Sequence, residues 1–354
     1  MFSIDDYAYE LPEERIAQQP AAQRDQSRLL VMDRCSGTLL HRSFIDLDSL
    51  LAPSDVLVIN NTEVIPGRLY GHKDTGGRAE VLILDYAGRR SLKNNADEFE
   101  CECLVKSTKP ARVGATLHFD QGLAADVLSV KNNIYMLKFR SPGNFEKILY
   151  GIGSVPLPPY IRREEHPEST RDDRRTYQTV YASRRGAIAA PTAGFHFTVP
   201  FLEKIKSRGV KVIEITLHIG YGTFLPVRVD DIRKHRMHAE WYSVSNAAAE
   251  AINQARSAGS RIIAVGTTCV RTLEFLAGKD GKLAGAEGNC DLFIYPGYEF
   301  KIVDAMLTNF HLPKSTLLML ISAFAGRDNI LNAYREAVDR KYRFYSYGDA
   351  MFIA

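Results

Sequence analysis

RRTYQTVYASRRGAIAAPTAGFHFTVPFLEKIKSRGVKVIEITLHIGYGTF, residues 174–224, contains two apolar runs, 186–190 and 210–217, that read as buried strands. Each ends in a loop of small residues carrying one histidine: APTAGFHF at 190–197 and HIGYGTF at 218–224. Small residues after a buried strand let backbone amides approach a ligand closely, and an imidazole adds a titratable donor or acceptor. Between the runs, TVPFLEKIKSRG at 198–209 has helical spacing and a glycine stop. Strand, helix, strand is the pattern of an α/β domain, in which ligands gather at the carboxyl ends of the strands.

The same alternation continues downstream. SNAAAEAINQARSAG at 245–259 reads as a helix opened by an N-cap serine and closed by glycine. It feeds RIIAV at 261–265, then Gly266-Thr267-Thr268 and a further helical start, which makes an anion-binding terminus. A short strand is expected at 293–295, and helices at 315–326 and 329–344. Upstream, 11–20 places Pro12 where a helix can start. The runs 28–33 and 39–44 flank a turn at 35–38 and predict a hairpin, and DVLVIN at 55–60 is a short buried strand.

Between 68 and 140 the texture changes. RLYGHK, RAEVLILDY, FECECLVK, ATLHF, LAADVLSV and IYMLKFR alternate partially and are separated by turn residues. Six such strands predict a small antiparallel barrel or sandwich. Cys101 and Cys103 share one face of a strand, as two small buried side chains. PLPPY at 156–160 reads as a stiff linker back to the first domain. The expected architecture is an α/β domain with a mixed sheet, built from 1–67 and 155–354, with an inserted antiparallel β-barrel domain at 68–154.

Composition narrows the function. The 45 basic and 42 acidic side chains leave a net charge of +3, which excludes a massively basic nucleic-acid coat but allows a local basic face. The segment 161–185 carries seven arginines against five acids, with Tyr160, Tyr177 and Tyr181 interleaved. A solvated face is the default for such a stretch; phosphate contacts and base stacking suit it equally. Five cysteines without CxxC spacing predict a reduced protein. The acidic opening MFSIDDYAYE lacks the features of a signal peptide, and the longest apolar stretch, 316–326, is too short to span a bilayer. A cytoplasmic location without membrane association is expected.

The common nucleotide fingerprints and the GxS nucleophile elbow are missing, and HRMH at 235–238 is a weak metal signal. What remains is a set of loops at strand ends: Asn60-Asn61, 191–196, 218–223, 266–268 and 309–311. Together they predict a polar pocket lined by amides, hydroxyls and imidazoles.

At these loops the sequence resembles the S-adenosylmethionine:tRNA ribosyltransferase-isomerase family of queuosine biosynthesis. The matching stretches are NNTEVIPGRLYG (60–71), PLPPYI (156–161), YQTVYA (177–182), AAPTAGFHFT (189–198), LHIGYGTFLPVR (217–228), MHAEWYSV (237–244), VGTTCVRTLE (265–274), FIYPGYEFKIVDAMLTNFHLP (293–313) and YRFYSYGDAMFI (342–353). Tyr221 inside the HIGYGTF loop, Trp241 beside His238, and an extra loop around 92–97 are the departures.

The resemblance implies transfer and isomerisation of the ribosyl group of S-adenosylmethionine onto the aminomethyl group of 7-aminomethyl-7-deazaguanine at the tRNA wobble position. The product would be epoxyqueuosine-tRNA, with adenine and methionine released. It implies His196 and His218 as leading candidates for proton transfer, His238 with Glu240 as a second pair, and His311 as a further option. Asn60, Asn61, Thr223, Thr267, Thr268 and Asn309 would bond ribose, adenine or the methionine carboxylate, and Arg271 would reach that carboxylate. Phe195, Phe224 and Tyr295 would stack on a base. Tyr177, Gln178 and nearby arginines would hold the anticodon stem-loop. Arg68, Thr192, Gly194, Gly220 and Gly222 complete the expected binding set. No metal is expected, no cofactor beyond S-adenosylmethionine as co-substrate, and a monomer. The runners-up are an S-adenosylmethionine-dependent RNA methyltransferase, for which the Gly-rich loop is absent, and a non-catalytic tRNA-binding protein.

Overall fold

The computed structural model describes residues 2–88, 90–91, 98–163, 169–224 and 226–354. Val56–Asn60, Ile262–Val265 and Ala305–Asn309 are buried at every position, as parallel strands covered on both faces must be. With Lys211–Leu217 they form the parallel centre of a nine-stranded mixed sheet. Its order is Ala286–Cys290, Glu240–Val244, Lys211–Leu217, Val56–Asn60, Ile262–Val265, Ala305–Asn309, Ala350–Ile353, Arg28–Met32, Leu39–Ser43. The pairs outside the centre are antiparallel except Arg28–Met32 beside Ala350–Ile353.

The strand period of two sorts side chains to opposite cores. Val56 and Val58 pack with Leu217, Cys269, Ile321 and Tyr334 on one face, and Leu57 and Ile59 with Phe197, Phe201 and Ile205 on the other. The helices Val199–Ser207, Asn246–Ser257 and Thr316–Ala325 begin where Thr198, Ser245 and Ser315 cap the amides of Phe201, Ala248 and Leu318 at 3.3, 3.1 and 3.2 Å.

The six strands expected between 68 and 140 are Arg68–Lys73, Arg78–Ile83, Glu98–Ser107, Thr116–Phe119, Ala124–Lys131 and Ile134–Arg140. Pairing of the last with Glu98–Ser107 closes them into an antiparallel barrel, and a two-residue strand, Arg90–Ser91, adds to that same strand. Leu69, Val81, Cys101, Cys103, Leu117, Leu137 and Phe139 fill its core, where the rings of Phe99 and Phe139 stack at 5.2 Å. Both cysteines therefore face inward. The extra loop around 92–97 lies outside the described residues.

Several local expectations differ from the structure. The stretch 11–20 forms a single 3-10 turn, Glu13–Arg15, because Ile16 is drawn into a parallel bridge with Phe344. The run 186–190 does not enter the main sheet. Its strand is Arg184–Ala187, paired with Thr62–Val64 just past the end of Val56–Asn60, while Ala189 bridges to Ile219. Residues 293–295 are irregular, with Phe293 and Tyr295 packed on each other at 5.1 Å. The edge strand is Ala286–Cys290, a glycine- and asparagine-bearing segment held in place by its partner Glu240–Val244. The final helix runs Arg327–Asp339 and stops short of 344, where Lys341 at φ +60° redirects the chain so that Tyr342 and Phe344 enter the core.

Candidate active site

The parallel strands deliver their carboxyl ends to one place. Residues 189–193, Ile219, Thr223, 266–268 and 308–312, together with Tyr160, Tyr177, Tyr345 and Ser346, enclose a cavity of about 100 Å³. Four of the five loops singled out in the sequence thus meet. Gly266 turns the chain from Ile262–Val265 into the helix Thr267–Leu276 at φ +86°, a conformation costly for any other residue. The first amides of that helix consequently face the cavity end of the sheet.

Asn309 ties the cavity to the first histidine. Thr192 Oγ1 donates to Asn309 Oδ1 at 3.1 Å, and Asn309 Nδ2 donates to the Tyr345 carbonyl at 3.2 Å, which orients the amide. That Nδ2 also faces His196 Nε2 at 3.3 Å, so Nε2 is the acceptor and Nδ1 carries the proton, given to Ser27 Oγ at 2.7 Å. His196 stacks on Phe44 with centroids 5.1 Å apart. Burial, then the charges of Arg24 and Arg343, push its pKa down to about 3. Tyr345, whose carbonyl receives Asn309, is held at φ +70°, an unusual conformation for a tyrosine.

His311 is the imidazole on the cavity wall itself. His311 Nε2 lies 2.8 Å from Thr308 Oγ1, which also lies 3.3 Å from the Asn309 carbonyl; with the hydroxyl proton on that carbonyl, Nε2–H is the donor to Thr308. Nδ1 then keeps its lone pair, and no described residue bonds it. Burial lowers the pKa of the ring to about 3. Tyr177, another wall residue, is buried, and among the described residues its hydroxyl has no hydrogen-bond partner.

Other expected site residues lie elsewhere or are engaged. His218 is not among the cavity residues. Its Nδ1 bonds Thr62 Oγ1 at 2.7 Å, its ring stacks on Trp241 at 4.9 Å, and it covers Gly186, where a Cβ would lie 2.5 Å from Nε2. Burial lowers its pKa to about 4.

Asn60 clamps Leu217 through both backbone groups (2.9 and 3.1 Å) and reaches Thr268 Oγ1 at 3.3 Å. Asn61 bonds Glu214 at 3.0 Å and Thr216 at 2.7 Å, so both amides serve the fold. Arg271 is not a free carboxylate clamp. It is buried against Glu240, with further bonds to the Leu292 and Cys290 carbonyls, and Glu240 also accepts from the Gly220 amide at 2.9 Å. His238 and Glu240 therefore do not form a pair, since His238 is exposed and packs on Gly222, where a Cβ would lie 2.7 Å from its own Cβ.

Gln178 holds Val64 through both backbone groups, at 3.1 and 3.2 Å. Gly194 leaves room for Tyr181, whose hydroxyl would lie 2.0 Å from a Cβ there. Phe195 packs between Tyr177 and Tyr347, and Tyr295 packs on Phe2 and Phe293 away from the cavity. Arg68 sits on the barrel, paired with Glu80 at 3.1 Å. The side chain of Phe224 lies outside the described residues.

A groove of about 1760 Å³ adjoins the cavity through the shared residues Tyr160 and Ser346, and His196 and Phe195 line it beside Arg24, Arg162, Arg163, Arg174 and Arg175. Most of these cations are bonded internally. Arg24 holds the Gln178 and Arg175 carbonyls at 2.7 and 2.9 Å, Arg163 pairs with Asp173 at 2.9 Å, Arg174 reaches the Tyr150 carbonyl at 2.6 Å, and Arg162 pairs with Glu13. Ser27, Thr308, Tyr345 and Ser346 were not foreseen as part of this site. The YSYG run inside the stretch 342–353 was the available signal for the last two.

Comparison with known proteins gives a consistent likeness. A family described as "Queuosine biosynthesis protein" matches residues 4–353. The S-adenosylmethionine:tRNA ribosyltransferase-isomerase of Geotalea uraniireducens is 49% identical over 99% of both chains. Those of Desulfitobacterium hafniense and Geobacter metallireducens are 48% and 46% identical over the same shares. Among solved structures, S-adenosylmethionine tRNA ribosyltransferase from Thermotoga maritima is 36% identical, with a TM-score of 0.55 over 99% of this chain and 100% of that one.

Proposed function

The chain belongs to the queuosine biosynthesis protein family, and from that premise we propose that its strand-end cavity is where the ribosyl group of S-adenosylmethionine is transferred and isomerised. The protein is an enzyme, an S-adenosylmethionine:tRNA ribosyltransferase-isomerase. Its acceptor is the aminomethyl group of 7-aminomethyl-7-deazaguanine at the tRNA wobble position, and its products are epoxyqueuosine-tRNA, adenine and methionine. The observation that carries the placement is the meeting of three polar loops from the carboxyl ends of the parallel strands with the loop 189–193, around hydroxyls, an oriented amide and the His311 imidazole.

The sulfonium acidifies the protons on ribose C5′, and His311 Nδ1, an acceptor at neutral pH, is the group placed to take one. The low proton affinity of this imidazole means the proton does not stay. The leaving adenine, which departs more readily when protonated, is its natural destination. Thr192, Thr223, Thr267, Thr268 and Tyr177 supply hydroxyls to the sugar and the adenine, and the helix starting at Thr267 presents amides to the methionine carboxylate. His196 acts through Asn309, fixing the direction of its amide. The groove beside Phe195 and His196 admits the anticodon loop.

S-adenosylmethionine is the co-substrate and no further cofactor takes part. The enzyme works as a monomer in the cytoplasm. All five cysteines are free, as a reducing compartment keeps them, and no helix among the described residues is long and apolar enough to cross a membrane.

The deciding experiment incubates the protein with S-adenosylmethionine and tRNA carrying 7-aminomethyl-7-deazaguanine, then follows nucleoside mass together with released adenine and methionine. Stoichiometric adenine and methionine with a heavier nucleoside is the expected result. S-adenosylhomocysteine in their place establishes a methyltransferase, and tRNA binding without consumption of S-adenosylmethionine establishes a binding protein.

A further inference from the structure

The outer face of the barrel carries side chains that the reaction does not use. Tyr70 is 56% exposed, and strand register places it opposite Glu80, itself opposite Lys106. One row along, His72 lies opposite Arg78. Glu80 is neutralised by Arg68 at 3.1 Å. His72 stacks on His118 at 5.5 Å, and His118 is bound to Asp74 at 2.6 Å. Arg78 and Lys106 are exposed and have no ion-pair partner among the described residues.

Arg68, Tyr70, His72, Arg78, Glu80 and Lys106 line a cleft of about 1540 Å³. Its lining includes Ile188 and Tyr221, respectively one and two residues along the chain from the cavity residues Ala189 and Thr223. The cleft also shares Pro159, Arg163 and Asp173 with the arginine-lined groove. Of the acids along it, Asp173 is paired with Arg163 and Glu80 with Arg68, which leaves Asp120 against the free cations.

A large exposed aromatic sharing one barrel face with two unneutralised cations on the next strands contributes little to a barrel's own stability, and it suits a polyanion with stackable faces. We propose that Tyr70, Arg78 and Lys106 form a second RNA-contact surface, which grips the sugar–phosphate backbone of the tRNA away from the nucleotide that reacts. The proposal rests on the tRNA-modifying activity above and extends it to the barrel. The arginines of the groove are largely committed to internal bonds, whereas those two cations are free to displace counterions. Tyr70 stacks on an unpaired base or a sugar face.

The test uses the full chain carrying Tyr70→Ala, Arg78→Ala and Lys106→Ala together. All three positions lie outside the barrel core, and the melting temperature checks that the fold is kept. The expected result is a KM for tRNA raised about tenfold or more, with kcat and the KM for S-adenosylmethionine unchanged. The dependence of log tRNA affinity on log salt should become shallower by about 1.5, the loss of two phosphate contacts. If the triple variant melts early, Arg78→Gln and Lys106→Gln singly should each flatten the slope by about 0.7–0.9. A wild-type KM and salt slope in a folded variant overturns the proposal, as does a face that captures an acidic protein while tRNA affinity is unchanged. A wild-type protein that releases no adenine from the two substrates instead strikes down the underlying activity.

Discussion

His311 and His218 are both held unprotonated by burial, at pKa values of about 3 and about 4, yet they are not equivalent. His311 walls the cavity with an unbonded Nδ1, whereas His218 is locked between Thr62, Trp241 and the backbone of Gly186. Their difference gives a residue-scale prediction. His311→Asn should lower kcat by about 10²–10⁴-fold, the usual worth of a positioned proton-transfer group, with the KM for each substrate changed less than kcat. His218→Asn should cost less than about tenfold in kcat and act mainly on the melting temperature, through lost packing. Steady-state kinetics on both variants decide it, and the opposite ranking would hand the proton transfer to His218. The sequence shows a histidine after each strand but not which way the loop turns. Here the bridge between Ala189 and Ile219 and the Thr62 bond turn His218 outward, and both partners are distant in the chain.

The helix Thr267–Leu276 shows the same limit for a whole element. Its start and its role as a cavity wall follow from Gly-Thr-Thr after an apolar run. Its far contacts do not, because they depend on an edge strand and a loop that no local pattern marks. Arg271 meets Glu240, and Glu274 accepts the amides of Lys301, Ile302 and Val303 at 2.8, 2.9 and 2.9 Å, so the helix bolts the irregular segment after 290 to the sheet. Breaking a buried pair from one side leaves an uncompensated charge, which typically costs about 3–5 kcal/mol. Arg271→Met and Glu240→Leu should each destabilise by about that amount in denaturant unfolding. The double variant should lose less than the sum, while staying below wild type because the Gly220 amide loses its acceptor. In the double variant the KM for S-adenosylmethionine should stay within about fivefold of wild type, since Arg271 is an internal partner. A much larger rise would restore it as the carboxylate clamp.

At the scale of the molecule, the parallel centre and the barrel were legible because period and burial agree in both. Runs such as VLVIN read as strands covered on two faces, and the alternation in FECECLVK reads as one wet face and one dry. The assembly around them also buries His196 and partly buries His218 and His311, which disfavours their charged forms and makes the stability of the whole chain depend on pH. His196, His311 and His218 fall from about 6.5 in the unfolded chain to about 3, 3 and 4 in the fold. The unfolded state therefore binds more protons across that window, so stability is fully present above about 6.5 and is lost as pH falls toward the folded values. His41 and His235, also lowered by desolvation, act with the same sign. Carboxylates titrate mostly below this window, so its upper part belongs to the imidazoles. A ring that stays neutral in the fold contributes a slope that approaches about 1.4 kcal/mol per pH unit as pH falls well below 6.5. Unfolding free energies measured from pH 7 to pH 4.5 should fall steeply as the medium is acidified, and His311→Asn should reduce the slope by one proton. A flat profile over that range would mean that the imidazoles reach water in the folded enzyme. The neutral acceptor assigned to the cavity would then have to be sought among other groups.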